Sequence, residues 1–230
     1  MTTIILVRHG ENEWVKRHRL AGWIEGVHLN ATGHQQAAAA AERLAQMPVK
    51  AVYSSPVTRC METAVYIADT FKLPIQELEP VGEVRYGDWE GEKISKLSKD
   101  PLWRIVQFFP SRMRFPNGET MREVQARGVN ALETLAANHP QETIVVVSHA
   151  DVIKLIMAHY LGIHIDLFQR MGLAPASVSV IDLSESGMVR ILRLNDNGPL
   201  TAPPAPLPNP KKKKSKKKHK KKNKQHGASN

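Results

Sequence analysis

The segment TIILVRHGENEW, residues 3–14, begins as an apolar, β-branched run and changes character at Arg8 and His9. The apolar part, TIILV over residues 3–7, is typical of a buried strand. Because many strands end in polar residues, Arg8 and His9 alone do not establish a functional site. The other strands of the chain decide whether these two residues have companions.

Two more runs share this composition, KAVY at 50–53 and TIVVV at 143–147. Helical patterns separate or follow the strands at 31–47, 56–71, 118–139 and 150–162. SVSVIDL at 177–183 and GMVRILRL at 187–194 predict a closing antiparallel hairpin. The alternation of strands with helices predicts a layered α/β fold with a mostly parallel central sheet flanked by helices.

The positive charge of the chain is concentrated at its C-terminal end. Of 32 lysines and arginines, 11 lie between Lys211 and Lys224, which leaves 21 against 22 acidic residues. A Pro-rich spacer precedes this run, so we expect one domain at 1–197 and a disordered Pro-rich and polylysine tail at 198–230. The tail is expected to bind polyanions (nucleic acid, polyphosphate or an anionic membrane surface); the alternative is a tail that only aids solubility.

Other classes of protein are excluded by what the sequence lacks. The single cysteine, Cys60, rules out an intrachain disulfide and a cysteine-based zinc site. No apolar stretch approaches the roughly 18 residues that span a bilayer, and the N-terminus does not read as a signal peptide. A cytoplasmic location without a transmembrane segment is therefore expected.

Basic side chains follow each of the three parallel strands. The first strand ends in Arg8 and His9, the second runs into SSPVTR with Arg59, and the third ends in SH with His149. Because ligand sites in open α/β sheets form at the carboxyl ends of the strands, we expect these four side chains to converge.

Two arginines with two histidines favour phosphoryl transfer. Guanidinium groups match phosphate oxygens, and a neutral imidazole can attack phosphorus to form a phosphohistidine. A second, protonated imidazole would stabilise the oxygens that gain charge. Histidine is also a common metal ligand, but two arginines at one point would repel a cation, so no metal is expected.

The leaving oxygen also needs a proton donor, and the loop GEVRYGDWEG at 82–91 offers three carboxyl groups. Glu83 can serve if burial and a neighbouring phosphate raise its pKa. Asp88 and Glu90 are equally available on composition alone, so the residues themselves leave this choice open.

Six segments, taken in order, resemble the histidine phosphatase superfamily, the phosphoglycerate mutase-like proteins. They are LVRHGENEW, AGW followed by LNATG, SSPVTRCMETA, EVRYGDWEG, PNGET and VVSHA. The resemblance covers roughly residues 3–183, and the C-terminal part is similar to a phosphomutase subgroup. It implies a three-layer α/β sandwich of the phosphoglycerate mutase type.

The resemblance also implies a role for individual residues. His9 would be the phosphorylated nucleophile, with Glu83 as proton donor and His149 as the second catalytic histidine. The remaining expected residues contact phosphate or lie on the substrate side: Arg8, Arg59 and Asn12 for phosphate, and Gly22, Trp23 and Tyr86 for substrate. Where the family commonly has an asparagine six residues after the nucleophile, this chain has Val15, and Asn12 or Lys16 is the expected substitute.

Three activities fit these residues. Metal-independent hydrolysis of a small phosphomonoester is favoured, because the interval from Gly91 to Asn117, which would cover the site, is short. The first alternative is a mutase primed by 2,3-bisphosphoglycerate, for which Arg104, Arg112 and Arg114 would supply a second anion site. The second alternative is a catalytically silent adaptor that binds a phosphorylated ligand.

Overall fold

The centre of the structure, a computed structural model that describes residues 1–184 and 186–198, is a six-stranded sheet. Its strands are β1 (Thr2–Arg8), β2 (Val49–Ser54), β3 (Ile75–Glu77), β4 (Thr143–Ser148), β5 (Val178–Leu183) and β6 (Val189–Asp196). They lie in the order β3-β2-β4-β1-β5-β6, in which β1 to β4 are parallel and β5 and β6 form the antiparallel hairpin. The predicted α/β sheet is confirmed.

Helices cover both faces of this sheet. They are α1 (Glu13–Lys16), α2 (Ala31–Leu44), α3 (Thr58–Phe71), α4 (Ile94–Leu97), α5 (Pro101–Phe108), α6 (Met121–Asn138) and α7 (Ala150–Tyr160). Ile5 and Val7 of β1 pack with α2 and α3, whereas Ile4 and Leu6 pack with α6 and α7. Because successive strand side chains point to opposite faces, this alternation produces three layers around one sheet.

The register of the sheet brings the predicted catalytic strands together. In the parallel pair of β1 and β4, Arg8 lies opposite Ser148, so the residues that follow, His9 and His149, leave the sheet side by side. Their ring centroids are 5.3 Å apart. The convergence expected from the three strand ends is therefore present for the two histidines.

Several elements differ from the sequence-based prediction because they are too short for a periodic pattern. The strand β3 has three residues, α1 and α4 have four each, and α5 has eight. Short 3₁₀ turns also occur, at Glu79–Val81, Gly87–Trp89, Pro110–Arg112 and Ile165–Arg170. The two 3₁₀ turns at Glu79–Val81 and Gly87–Trp89 flank the loop that carries Glu83.

The predicted tail lies outside the described residues, except for Gly198. The β6 strand ends at Asp196, and residues Met1–Gly198 form one compact unit. In the part of the chain that the structure describes, no helix is long and apolar enough to cross a membrane.

Candidate active site

His9 lies at the carboxyl end of β1 and is almost completely buried. Its Nδ1 is 2.7 Å from the carbonyl oxygen of Gly10, so this nitrogen carries the proton and donates it. The other ring nitrogen, Nε2, therefore has a lone pair. Burial, followed by the positive charges of Arg59 and Arg8, lowers the pKa of His9 well below its ordinary value. His9 is therefore a neutral imidazole, the protonation state that a nucleophile requires, and its Nε2 accepts a hydrogen bond from Arg59 Nε at 3.3 Å.

Arg59, in the first turn of α3, is only 1% exposed. Its Nε lies 3.3 Å from His9 Nε2, and its Nη2 donates to the carbonyl of Gly22 at 3.0 Å and lies 3.2 Å from His149 Nδ1. The remaining nitrogen, Nη1, is buried and has no hydrogen-bond partner within the described residues. An unpaired buried donor raises the free energy of the folded protein, so Nη1 is suited to donate a hydrogen bond to an oxygen of a bound anion.

Two further side chains near His9 also carry unpaired buried donors. Arg8 donates from Nη1 to the carbonyl of Leu173 at 2.5 Å, while its Nε has no partner among the described residues. Asn12 accepts a hydrogen bond from Val15 N at 2.8 Å with its Oδ1, which caps α1, and its buried Nδ2 is likewise unpaired. Both residues thus have a free N–H group to offer to phosphate.

His149 is fully buried between Ser55, Arg59 and Glu83. Its Nε2 is 2.8 Å from Ser55 Oγ, and its Nδ1 is 3.5 Å from Glu83 Oε2. Burial, followed by the positive charge of Arg59, lowers its pKa well below the ordinary value. This direction applies to the site without an anion; that a second imidazole is protonated while phosphate is transferred stays a prediction.

Glu83 is the one of the three candidate carboxyl groups that lines the same cavity as His9. Its Oε1 accepts from Val84 N at 3.0 Å, and its Oε2 is 3.6 Å from Arg59 Nη2. Burial raises its pKa to about 7, against the opposing effect of Arg59. Asp88, in contrast, is exposed and accepts from Asn117 Nδ2 at 3.1 Å. The fold thus selects Glu83 as an acid that can be protonated near neutral pH.

His9, Arg59, Arg8, Asn12 and Glu83 border a cavity of about 270 Å³, whereas His149 does not line it. Its lining includes the predicted Arg8, His9, Asn12, Arg59, Glu83 and Tyr86, together with Val15, His18, Arg19, Leu20, Ala21, Ile94, Ala150 and Asp151. Lys16, one expected substitute for the family asparagine, is not part of the lining, whereas Asn12 is. A cavity of this size fits a small ligand.

Gly22 and Trp23 do not line this cavity, although the sequence placed them on the substrate side. Gly22, at φ +52°, directs its carbonyl to Arg59 Nη2. Trp23 donates from Nε1 to the carbonyl oxygen of Glu83 at 2.6 Å, and its ring lies under the guanidinium of Arg85. Gly22 therefore contacts Arg59 and Trp23 contacts the backbone of Glu83, whereas Leu20 and Ala21, just before them, do line the cavity.

Sequence reasoning missed a half-buried carboxylate at the site. Asp151 lies two residues after His149, at the start of α7, and accepts from Tyr86 Oη at 3.2 Å and from Lys154 Nζ at 2.9 Å. Burial opposes its ionisation, but these two partners outweigh burial, and the pKa of Asp151 is lowered. Its negative charge contributes to the raised pKa of Glu83. The segment SHAD was the available signal, since its acidic residue is adjacent to the strand end.

The arginines considered for a second anion site lie elsewhere. Arg104, Arg112 and Arg114 are exposed, none of them lines the cavity, and Arg114 pairs with Glu123 at 2.9 Å. The basic residues at the cavity besides Arg8 and Arg59 are instead His18 and Arg19. Arg19 donates from Nε to the carbonyl of Gly91 at 2.9 Å.

Comparison with known proteins agrees with this arrangement. The family model described as histidine phosphatase superfamily (branch 1) matches residues 4–197. Phosphoserine phosphatase 1 of Hydrogenobacter thermophilus is 32% identical over 198 residues, which cover 85% of this chain and 92% of that protein. The metal-independent phosphoserine phosphatase of Arabidopsis thaliana is 36% identical over 162 residues, covering 68% of this chain and 67% of that protein.

The solved structure of YhfR from Bacillus stearothermophilus superposes with a TM-score of 0.80 at 29% identity, covering 85% of this chain and 98% of that one. The shared fold and the length of the family match lead to one assignment. The chain belongs to the histidine phosphatase superfamily, branch 1.

Proposed function

We propose that this protein hydrolyses a small phosphomonoester through a phosphohistidine formed on His9. The observation that carries the proposal is a set of buried donors, unpaired within the described residues, on side chains that line the same cavity as His9: Arg59 Nη1, Arg8 Nε and Asn12 Nδ2. Three N–H groups without partners, next to a neutral imidazole, form a site that a phosphoryl group would complete.

In the first step, His9 Nε2 attacks phosphorus and the bond from phosphorus to the ester oxygen breaks. Glu83 gives its proton to that oxygen, so the alcohol leaves neutral and Glu83 becomes a carboxylate. In the second step, Glu83 takes a proton from water, the hydroxide oxygen bonds to phosphorus, and the bond to Nε2 breaks. This step releases free phosphate and returns His9 and Glu83 to their starting protonation states.

The substrate class follows from the cavity and from the relatives. The cavity of about 270 Å³ fits a compact molecule, and two proteins similar to this chain are named phosphoserine phosphatases. We therefore propose a small phosphorylated acid, with phosphoserine as the first compound to test. Its carboxylate would find positive charge at Arg19, which lines the same cavity.

Hydrolysis is favoured over the mutase reaction by the position of the arginines. A mutase must retain a bisphosphorylated intermediate, and Arg104, Arg112 and Arg114 do not line the cavity where they would bind its second phosphate. The decisive experiment incubates the protein with a panel of phosphomonoesters, and with 3-phosphoglycerate in the presence and absence of 2,3-bisphosphoglycerate. Release of phosphate from the esters supports hydrolysis. Conversion to 2-phosphoglycerate without phosphate release would favour the mutase, and binding without turnover would favour the adaptor.

No metal or other cofactor takes part in the proposed reaction. The guanidinium groups of Arg8 and Arg59 supply the positive charge that a divalent cation supplies in other phosphatases. Among residues 1–184 and 186–198, no group of three His, Cys, Asp or Glu side chains is arranged to hold a metal ion. Full activity in excess chelator is the expected result; loss of activity that a divalent cation restores would contradict the proposal.

The lysine-rich segment is proposed to bind polyanions independently of catalysis. Its 11 lysines between Lys211 and Lys224 would release counterions from a nucleic acid, polyphosphate or an anionic membrane surface. A chain without residues 203–230 should keep its kinetics with small substrates and lose retention on heparin at low salt. Strong retention of the shortened chain would refute this role.

A further inference from the structure

The loop that carries Glu83 is held from behind by one arginine of α6. Arg127 donates from Nη1 to the carbonyl oxygens of Pro80 and Gly82, at 2.6 and 2.8 Å, and from Nη2 to that of Glu83, at 3.0 Å. Three carbonyls within four consecutive residues thus converge on one guanidinium. Because Arg127 does not line the cavity, its contribution to catalysis can only be indirect.

Glu119 fixes the orientation of this guanidinium. Its carboxylate accepts from Arg127 Nε at 2.9 Å and from Arg127 Nη2 at 3.0 Å, a bidentate pair with both side chains about 20% exposed. The same carboxylate accepts from Arg85 N at 2.9 Å. Glu119 therefore connects the guanidinium to the backbone just after Glu83, so the loop is held on both sides of the acid.

Two other side chains donate hydrogen bonds to the same short segment, residues 80–83. Trp23 Nε1 donates to the carbonyl of Glu83, which thus accepts two hydrogen bonds, and Ser148 Oγ donates to the carbonyl of Val81 at 2.6 Å. Ser148 immediately precedes His149, so the acid loop and the catalytic strand end are joined directly. Of these contacts, those of Arg127 are the most numerous and carry a full charge.

We propose that Arg127, oriented by Glu119, is a positioning residue that holds the Glu83 carboxyl group where it protonates the leaving oxygen. The inference rests on the proposed function, in which Glu83 is the proton donor. Loss of the clamp lets the loop relax, and the carboxyl group no longer meets the ester oxygen. Formation of the phosphohistidine from an ester whose leaving group needs no proton does not depend on the clamp.

The test compares two substrates whose leaving groups differ in how much they need a proton. In R127M we expect kcat/KM for phosphoserine, an alkyl ester, to fall about 100-fold, as expected for loss of general acid catalysis. The value for p-nitrophenyl phosphate, which has a good leaving group, should change by less than about threefold, since its departure needs little protonation. E119Q should show the same selectivity to a smaller extent, and R127K should recover part of the loss. The matched control is R122M, which removes an exposed arginine of α6 whose one side-chain hydrogen bond within the described residues goes to the carbonyl of Ser111; this variant should behave as wild type.

A double-mutant cycle separates positioning from general structural damage. If Arg127 acts through Glu83, R127M should have almost no further effect in an E83Q background. Equal losses for both esters in R127M, or additive losses in the double variant, would overturn the proposal. If R127M does not fold, E119Q is compared on the two esters instead. The proposed function fails separately if E83Q itself shows no selectivity between the esters, and the role of Arg127 then fails with it. Selectivity in E83Q without selectivity in R127M or E119Q would overturn the role of Arg127 alone.

Discussion

The Nε atom of Arg59 donates a hydrogen bond to Nε2 of His9 at 3.3 Å, a bond that Nε2 must give up to attack phosphorus. Burial and the positive charge of Arg59 lower the pKa of the imidazole and keep Nε2 unprotonated. The same guanidinium has an unpaired Nη1, which is suited to bind the phosphate that the histidine attacks. We propose that this one buried side chain both keeps the nucleophile unprotonated and binds the group that it attacks.

Substitution of Arg59 should consequently weaken anion binding more than it changes the stability of the protein without phosphate. We expect R59M to lower kcat/KM by about 100- to 1000-fold, the loss typical of one removed donor to a developing charge. Inorganic phosphate at about 100 times its Kd should stabilise the wild-type protein by about 2.7 kcal/mol, and this stabilisation should disappear in R59M. Thermal unfolding with and without phosphate measures it. R43M, which removes an exposed arginine paired with Asp196, is the control and should keep the phosphate effect.

The covalent intermediate gives a second prediction, on His9. H9A should remove essentially all turnover, because among the described residues no other imidazole that lines the cavity contacts Arg59. Rapid quench with radiolabelled substrate should trap an acid-labile, base-stable adduct in the wild-type protein and none in H9A. Undiminished turnover by H9A would exclude the phosphohistidine mechanism.

The sheet and the two histidines were predictable because buried parallel strands have a distinctive β-branched composition and their polar ends follow directly in sequence. The choice of Glu83 over Asp88 and Glu90 was not predictable from composition. It depends on which carboxyl group the loop turns inward, and that is fixed by partners distant in sequence, such as Arg127, 44 residues away. The lowered pKa of His149 was not predictable for a related reason, since burial and the summed charge of its neighbours exist only in the folded chain.

The backbone around the nucleophile should tolerate no added methyl group. A Cβ on Gly10 would lie 2.5 Å from the carbonyl oxygen of Gly33, a backbone atom that cannot move without shifting α2. We expect G10A to lower the free energy of unfolding by about 1–3 kcal/mol, the cost of overpacking. G172A is the matched control, because a Cβ there meets nothing within 4 Å, and it should be neutral or slightly stabilising. Urea denaturation of both variants tests this, and equal stability of G10A and wild type would contradict the close approach.

The pH profile of kcat/KM should report the titration of Glu83. Burial raises the pKa of this carboxyl group to about 7, so it is protonated below that pH and ionised above it. Since the first step needs the protonated acid, kcat/KM for phosphoserine should fall about tenfold per pH unit above pH 7. His9 contributes no limb in this range, because its lowered pKa keeps it neutral there.

The glutamine of E83Q cannot ionise, so this variant should show no alkaline limb. Its overall rate should also be much lower than that of the wild type. D88N, which alters the exposed carboxyl group of the same loop, should keep the limb unchanged. A limb that persists in E83Q would assign the titration to another group and remove Glu83 as the proton donor.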